Sequence, residues 1–359
     1  MRSATAKVVT ALDVSVVVLA SVTGTISGMI GIKATKELNH RLDEIDEMLI
    51  DFRNEKKDRI RSYAMLLIGI SWITFLLGMD ISTWLRKADD MKVENENTQL
   101  NIQWYIPFYS LYFILTGLHL NFAHSSFGVG RRFRRLNLAL KKYFLPNELP
   151  GVWMKSSKIP TPAAAATVND AVTIKNITDM LTNKVAPVRL RALTQKQKPG
   201  HSIDDMAYIH YSLGKCVEIL SSAYGLAVLF LLVSCLLHLV ATAYFLFLEI
   251  MAGKGIVFTW LQFVWIIFHF SRLLLIVEPC HITSQESRNT LKLYHELNRN
   301  VFDDEMQKSM DKFWKQLTAG KIFFSAYGLC QVNRKILTSL SAAIATYLVI
   351  LIQFQKTNG

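Results

Sequence analysis

Long apolar segments constrain the fold of this chain more than any other feature. A helix needs about 20 residues to cross a bilayer, and lipid tolerates no exposed, unpaired backbone groups. Apolar segments of that length therefore predict an all-α, polytopic transmembrane bundle. Six segments are long and apolar enough: 8–32, 63–84, 104–124, 219–248, 256–277 and 336–355.

The composition is that of a membrane protein. Of the 359 residues, 51% are hydrophobic and 19% are charged, whereas a soluble chain of this length usually carries more charge. The net charge of +12 lies mainly between the spans, so we expect no nucleic-acid partner. The four cysteines form no CxxC pair, and no metal site, disulfide framework or cofactor is expected. Asp13 interrupts the first apolar segment, which continues to Ile32 and is therefore interpreted as a span, not a signal peptide.

Lysine and arginine residues predict the orientation. They are concentrated in 33–61, 125–218 and 278–335, which the positive-inside rule places in the cytoplasm. Six spans then leave both termini outside the cell, in a multi-pass protein of the cell membrane. Within 125–218, residues 155–202 are rich in Pro, Ala, Ser and Lys and have little periodicity, which predicts a long, partly disordered loop.

Two cytoplasmic segments carry apolar residues at alternating spacings of four and three, the pattern of a narrow seam along a helix. One seam lies in 33–61 and the other in 278–335, which we interpret as anchor helices. A seam of this kind packs within one subunit, or it also forms a subunit interface, and we favour both roles together. The seams are Leu38, Leu42, Ile45, Leu49 and Phe52, and Phe302, Met306, Met310, Phe313 and Leu317.

The last segment, 336–359, carries polar residues at helical spacing inside an apolar run. Thr346 and Gln353 are seven positions apart, so they share one stripe of a helix, and Tyr347 and Phe354 share the adjacent stripe. A glutamine in hydrocarbon is costly unless it meets a partner or water. The spacing therefore predicts a wet face or, alternatively, a hydrogen bond from Gln353 to a neighbouring helix.

The Thr-Tyr pair, five hydrophobic residues and the Gln-Phe pair near the C-terminus resemble the signature of insect gustatory receptors. The preceding stretch AYGLCQVNRKILTSLSAAIA, the long basic loop and the charged helical segment are similar to that family as well. The resemblance implies a tetrameric, ligand-gated, cation-permeable channel with one pore lined by the last helix of each subunit. The family has seven spans, so its first span is expected to lie upstream of Met1.

On this resemblance, the helix in 336–359 lines the pore. We expect Gln353 near the extracellular mouth, Phe354 beside it at the gate, and Thr346 two turns deeper along the permeation path. For Tyr347 and Phe354, ordinary packing is an equally open interpretation. The candidate pore and gate residues are Thr346, Tyr347, Ile350, Gln353 and Phe354.

The resemblance also implies a tastant pocket in the outer half of each subunit, formed by the helices of 1–277. A sugar needs aromatic faces for its C–H surfaces and polar groups for its hydroxyls. Phe258, Gln262, Trp265 and His269 form such a stripe at spacings of four, three and four. The alternative is that these aromatics anchor the chain at the membrane interface. The candidate ligand-binding residues are Trp104, Gln262, Trp265, Phe108, His269 and Asp80.

Three other classes of function are weighed against a channel. A G-protein-coupled receptor would need its C-terminus inside, and neither a DRY nor an NPxxY motif is present. A secondary transporter would show inverted repeats and broken helices, and no repeat is found. No HExxH or GxSxG motif indicates an enzyme.

The ending ATYLVILIQFQ is similar to the sugar-receptor branches, above all the fructose receptors, so a sugar such as fructose is the expected ligand.

Overall fold

The computed structural model describes residues 4–94, 106–145, 202–251, 253, 256–297 and 303–358. Long helices dominate these residues, as the apolar segments predicted. In chain order the elements are α1 (Ala4–Ile30), α2 (Ile32–Met48), a 3-10 turn (Ile50–Phe52), α3 (Glu55–Glu94), α4 (Ile106–Phe144), α5 (Ile203–Met251), α6 (Ile256–Glu296), α7 (Asp304–Ala319), β1 (Ser325–Ala326), β2 (Cys330–Gln331) and α8 (Lys335–Asn358).

Five helices of the described chain, namely α1, α3, α5, α6 and α8, are long and apolar enough to cross a membrane. The predicted span 104–124 falls mostly in α4, a helix of 39 residues. It is less apolar than the other spans because polar side chains such as His119 and Asn121 interrupt it. The predicted loop 155–202 falls almost wholly outside the described residues, as does Phe302 of the second seam.

A break at Gly31 separates α1 from α2 where the sequence predicted one continuous apolar segment to residue 32. A Cβ at this position would lie 2.9 Å from the carbonyl oxygen of Ser27 and 3.4 Å from the Cβ of Ala223. The absence of a side chain therefore lets the chain pack closely against α5 here. From this point α2 continues along the N-terminal half of α5, where Thr35 Oγ1 lies 3.3 Å from the Tyr224 hydroxyl.

Both apolar seams are buried within the chain itself. Leu38, Leu42, Ile45 and Leu49 are at most 8% exposed, and Phe313 at the centre of the second seam is fully buried. Packing within one subunit is thus the role that the structure gives to the seams. These buried side chains are covered by their own chain, and the second role, a subunit interface on the same helices, stays a prediction. A subunit contact in this region must use other faces of α2 and α7.

A network of buried and partly buried charges holds α2, α3 and α4 together. Asp46 on α2 accepts hydrogen bonds from Arg132 Nε at 3.0 Å and Arg132 Nη2 at 2.5 Å, and from Arg135 Nη1 at 2.8 Å. Arg135 also pairs with Asp58 at the start of α3. Paired, hydrogen-bonded charges of this kind offset their own desolvation and hold one geometry. The basic run at 131–135 therefore has a structural role inside the subunit.

A short hairpin connects the anchor helix α7 to the last helix. β1 and β2 pair antiparallel, with Ser325 opposite Gln331, and Gly328 in the turn has a φ of 74°. The hairpin lies on α5: the amide of Ser325 donates to Ser221 Oγ at 3.2 Å, and a Cβ at Gly225 would lie 2.9 Å from the amide nitrogen of Tyr327. Close backbone contact thus fixes the hairpin to α5 immediately before α8 begins.

Candidate ligand pocket and pore helix

Three helices converge on the carboxylate of Asp80. Tyr109 on α4 donates its hydroxyl to Asp80 Oδ2 at 2.5 Å, and Trp265 on α6 donates its indole N–H to Asp80 Oδ1 at 3.4 Å. Asp80 itself lies on α3 and is half-buried. A carboxylate within a membrane bundle is stable because both of its oxygens receive donors. The predicted residues Asp80 and Trp265, which are 185 positions apart, are therefore in direct contact.

A ladder of aromatic rings continues from Trp265 into the bundle. The centroid of Trp265 is 5.2 Å from that of Tyr112 and 5.4 Å from that of His269, on which it stacks. His269 in turn stacks on His238 of α5 at 4.5 Å. Phe108 packs edge-on against Tyr112 at 5.5 Å. Three of the predicted aromatic residues, Phe108, Trp265 and His269, thus belong to one contiguous cluster.

The other two predicted ligand residues are less closely involved. Gln262 is half-buried and lies one turn of α6 from Trp265, toward the start of the helix. Trp104 lies outside the described residues. Trp260, on the same helix, is 63% exposed, as an interfacial anchor should be.

A second polar layer lies one turn deeper than this cluster. Arg272 is 2% exposed, and its Nη1 lies 3.2 Å from His269 Nδ1 while its Nη2 donates to Ser234 Oγ at 3.4 Å. His238 Nε2 lies 3.7 Å from Asp13 Oδ1 on α1. A charged side chain is costly at this depth unless it is paired, so these groups stabilise one another across α1, α5 and α6.

The sequence interpretation missed several of these participants. Tyr109 was not selected, although it lies on the same helix as Phe108, and His238 was not selected although it is a polar residue in the apolar run of α5. Arg272 was not selected either. The available signal was the rule that an ionisable residue within a span is functional by default. Asp13 carried that signal too, and it was used only to interpret the first segment.

One face of the last helix, α8, packs against its own subunit, and the opposite face is exposed. Residues on the first face pack partly buried against the core: Ile336, Leu337, Leu340, Ile344, Leu348 and Leu351. Thr346 and Gln353 lie on the exposed side, as do Tyr347 at 54%, Ile350 at 38% and Phe354 at 57% exposure. Thr346 donates its hydroxyl to the carbonyl of Ala342 at 3.0 Å, which satisfies it within the helix. The predicted pore residues therefore share the side of α8 that its own subunit leaves uncovered.

Comparison with known proteins identifies relatives of the whole chain. A family model described as 7tm Chemosensory receptor matches residues 1–358. The chain is 48% identical over 359 residues to Gustatory receptor for sugar taste 43a of Drosophila melanogaster, covering 100% of this chain and 84% of that receptor. It is also 33% identical over 117 residues to Gustatory and pheromone receptor 32a of the same species, covering 32% of this chain and 24% of that receptor.

Solved structures with the same fold come from an insect olfactory receptor. The receptor OR5 of Machilis hrabei aligns with a TM-score of 0.59 at 13% identity, over 97% of this chain and 82% of that chain. Its complex with eugenol aligns with a TM-score of 0.57 at 13% identity, over 99% of this chain and 83% of that chain. At this identity the likeness concerns the fold, and it confirms the prediction of an insect chemoreceptor-like transmembrane bundle.

Proposed function

The chain belongs to the 7tm chemosensory receptor family, among the insect gustatory receptors, and from this premise we propose that it forms a tetrameric cation channel opened directly by a small sugar. The observation that carries the proposal is the convergence of α3, α4 and α6 on Asp80 beside the Trp265 ring. The 48% identity to a receptor named for sugar taste supports the ligand class.

The chemistry of the cluster suits a polyol. The indole face of Trp265 offers an apolar surface for sugar C–H groups, and the Asp80 carboxylate accepts hydrogen bonds from hydroxyls. Tyr109 and Trp265 now occupy that carboxylate. Sugar hydroxyls would replace these donors, so binding would release α4 and α6 from their common partner on α3. A ligand that interacts differently with the two arrangements shifts the population between them.

The uncovered side of α8 is the proposed pore surface. Four copies around one axis would present rings of hydroxyls from Thr346 and amides from Gln353, separated by the apolar run that includes Ile350. No charged residue lies between Ile336 and Gln355, so the pore would attract cations weakly through oxygen atoms and close by dewetting at an apolar constriction. The distribution of Lys and Arg supports an extracellular C-terminus, which places Gln353 near the outer mouth.

Two tryptophans on one helix provide the test. In whole-cell recordings with fructose and a panel of other sugars, Trp265→Ala should raise the half-maximal sugar concentration about fivefold or more, the effect of losing about 1 kcal/mol of contact. Trp260→Ala, which removes an exposed interfacial ring, should leave it unchanged when surface expression is equal. Equal half-maximal sugar concentrations in the two variants would mean that Trp265 packs within the bundle and does not bind the sugar.

A further inference from the structure

A bidentate ion pair joins the helix of the candidate pocket to the start of the pore helix. Arg334 Nε donates to Glu278 Oε1 and Arg334 Nη2 donates to Glu278 Oε2, both at 2.8 Å. Glu278 lies on α6, and Arg334 is the residue immediately before Lys335, where α8 begins. The two residues are 56 positions apart in sequence. The planar guanidinium and carboxylate geometries match, so the pair fixes orientation as well as distance.

One uninterrupted helix connects the pocket to this pair. From Trp265 to Glu278 α6 advances 13 residues, which is about 20 Å of helix. A displacement of α6 at Trp265 is therefore carried along the helix axis to the carboxylate of Glu278.

Pro279 makes the helix deformable at the same level. It lies inside α6 directly after Glu278. Because proline has no backbone N–H, the carbonyl of Leu275 loses its helical donor, and helices bend most readily at such positions. The outer part of α6, with Glu278 at its end, can thus move relative to the inner part.

On the other side, the connection to α8 is held by α5. The hairpin before Arg334 lies on α5 through Ser325 and through the close approach of Tyr327 to Gly225. Arg334 therefore stands between a fixed hairpin and a movable segment of α6. The ion pair is a direct polar link by which movement of α6 reaches the first turn of α8.

We propose that the Glu278–Arg334 pair is the coupling latch that transmits sugar binding from α6 to the pore helix. This inference rests on the proposed function of the channel. With the pair intact, displacement of α6 draws the start of α8 and opens the pore. With the pair broken, sugar still binds at Asp80 and Trp265 but opens the pore inefficiently. Since the Arg334 side chain is 58% exposed, the pair contributes little to folding, and its removal leaves the fold in place.

The test separates binding from gating in the full-length channel. Glu278→Gln and Arg334→Gln should each reduce the maximal current at saturating fructose about fivefold or more, while the dissociation constant of labelled fructose on purified protein stays within about twofold of the unmodified channel. The double variant Glu278→Gln/Arg334→Gln should lose no more than either single variant, because both changes break one interaction. Arg334→Lys, which lacks the bidentate fork, should be intermediate.

A matched control uses a second arginine–glutamate pair, which lies within α2 and does not touch α8. Arg41 donates to the single oxygen Glu37 Oε1 through Nε at 3.0 Å and through Nη2 at 2.9 Å, and Glu37→Gln should leave the maximal current unchanged. Full current in Glu278→Gln, additive losses in the double variant, sugar-independent current in the single variants, or an equal loss in the control would each overturn the latch. Absence of both fructose current and fructose binding in the unmodified channel would overturn the proposed function, and the latch with it.

Discussion

At the scale of single residues, the carboxylate of Asp80 connects the helices of the candidate pocket. It is the shared acceptor for Tyr109 and Trp265, which come from different helices. A neutral amide at this position would keep the shape and lose the charge. Hydrogen bonds to a charged acceptor are worth more than those between neutral groups, about 1.5–3 kcal/mol.

We therefore predict that Asp80→Asn weakens the sugar response. The half-maximal concentration of fructose should rise about tenfold or more, as expected for losing charge-assisted hydrogen bonds of that strength. Tyr109→Phe, which removes a competing donor from the same carboxylate, should not reduce sensitivity. Dose–response curves on both variants, normalised to surface expression, check this. An equal loss in both would mean that the Asp80–Tyr109 contact serves the fold alone.

At the scale of elements, α8 differs from the helices that pack within the subunit. In the most apolar 18 residues of α8 no residue is buried, whereas 61% of the corresponding residues of α5 are buried. Leu348 faces its own subunit while Thr346 and Gln353 face away from it. One face of α8 therefore packs against its own subunit, and the other face is exposed in the single chain.

Cysteine substitution tests which side of α8 is wet. The experiment uses a Cys330→Ser background, because Cys330 is half-buried whereas the other three cysteines are buried. In this background, Thr346→Cys and Gln353→Cys should react with a water-borne thiol reagent. Modification should be faster with sugar present and should change the current. A cysteine at 348 should stay unreactive because Leu348 packs against the core. If the cysteine at 348 reacted and those at 346 and 353 did not, the water-facing side of α8 would be the opposite one.

At the scale of the whole molecule, the proposed tetramer needs surfaces through which its subunits meet. Tyr347, Ile350 and Phe354 are exposed on the side of α8 that the subunit leaves uncovered. The two apolar seams, by contrast, are already buried within the chain. Subunit contacts are thus expected along α8 and on the outer faces of the anchor helices, not through the seams.

We predict that the purified protein is a tetramer in mild detergent. Light scattering or native mass measurement should give four times the chain mass of 40.8 kDa after detergent correction. A pore needs several copies of α8, because one such helix encloses no water-filled path. A stable monomer that still passes sugar-gated current after reconstitution would contradict this assembly.

The sequence alone determined the features that depend on local periodicity and hydropathy. Hydrophobic runs predicted helices and spans, and the spacing of Thr346 and Gln353 predicted one shared stripe, since a helix repeats every 3.6 residues wherever it lies. The orientation that the basic residues indicate stays a prediction. The spacing of the seams was likewise correct as a helix pattern. The sequence did not show which helix each of these stripes and seams would pack against.

The tertiary structure alone decided those partners. Asp80 and Trp265 are 185 positions apart, and Glu278 and Arg334 are 56 apart, so nothing local connects them. The sequence left open which helices the seams pack against, and the burial of residues such as Ile45 shows their packing within the chain. The physical reason is that periodicity defines which face of a helix is apolar or polar, whereas the choice among competing neighbours depends on how all the helices pack together.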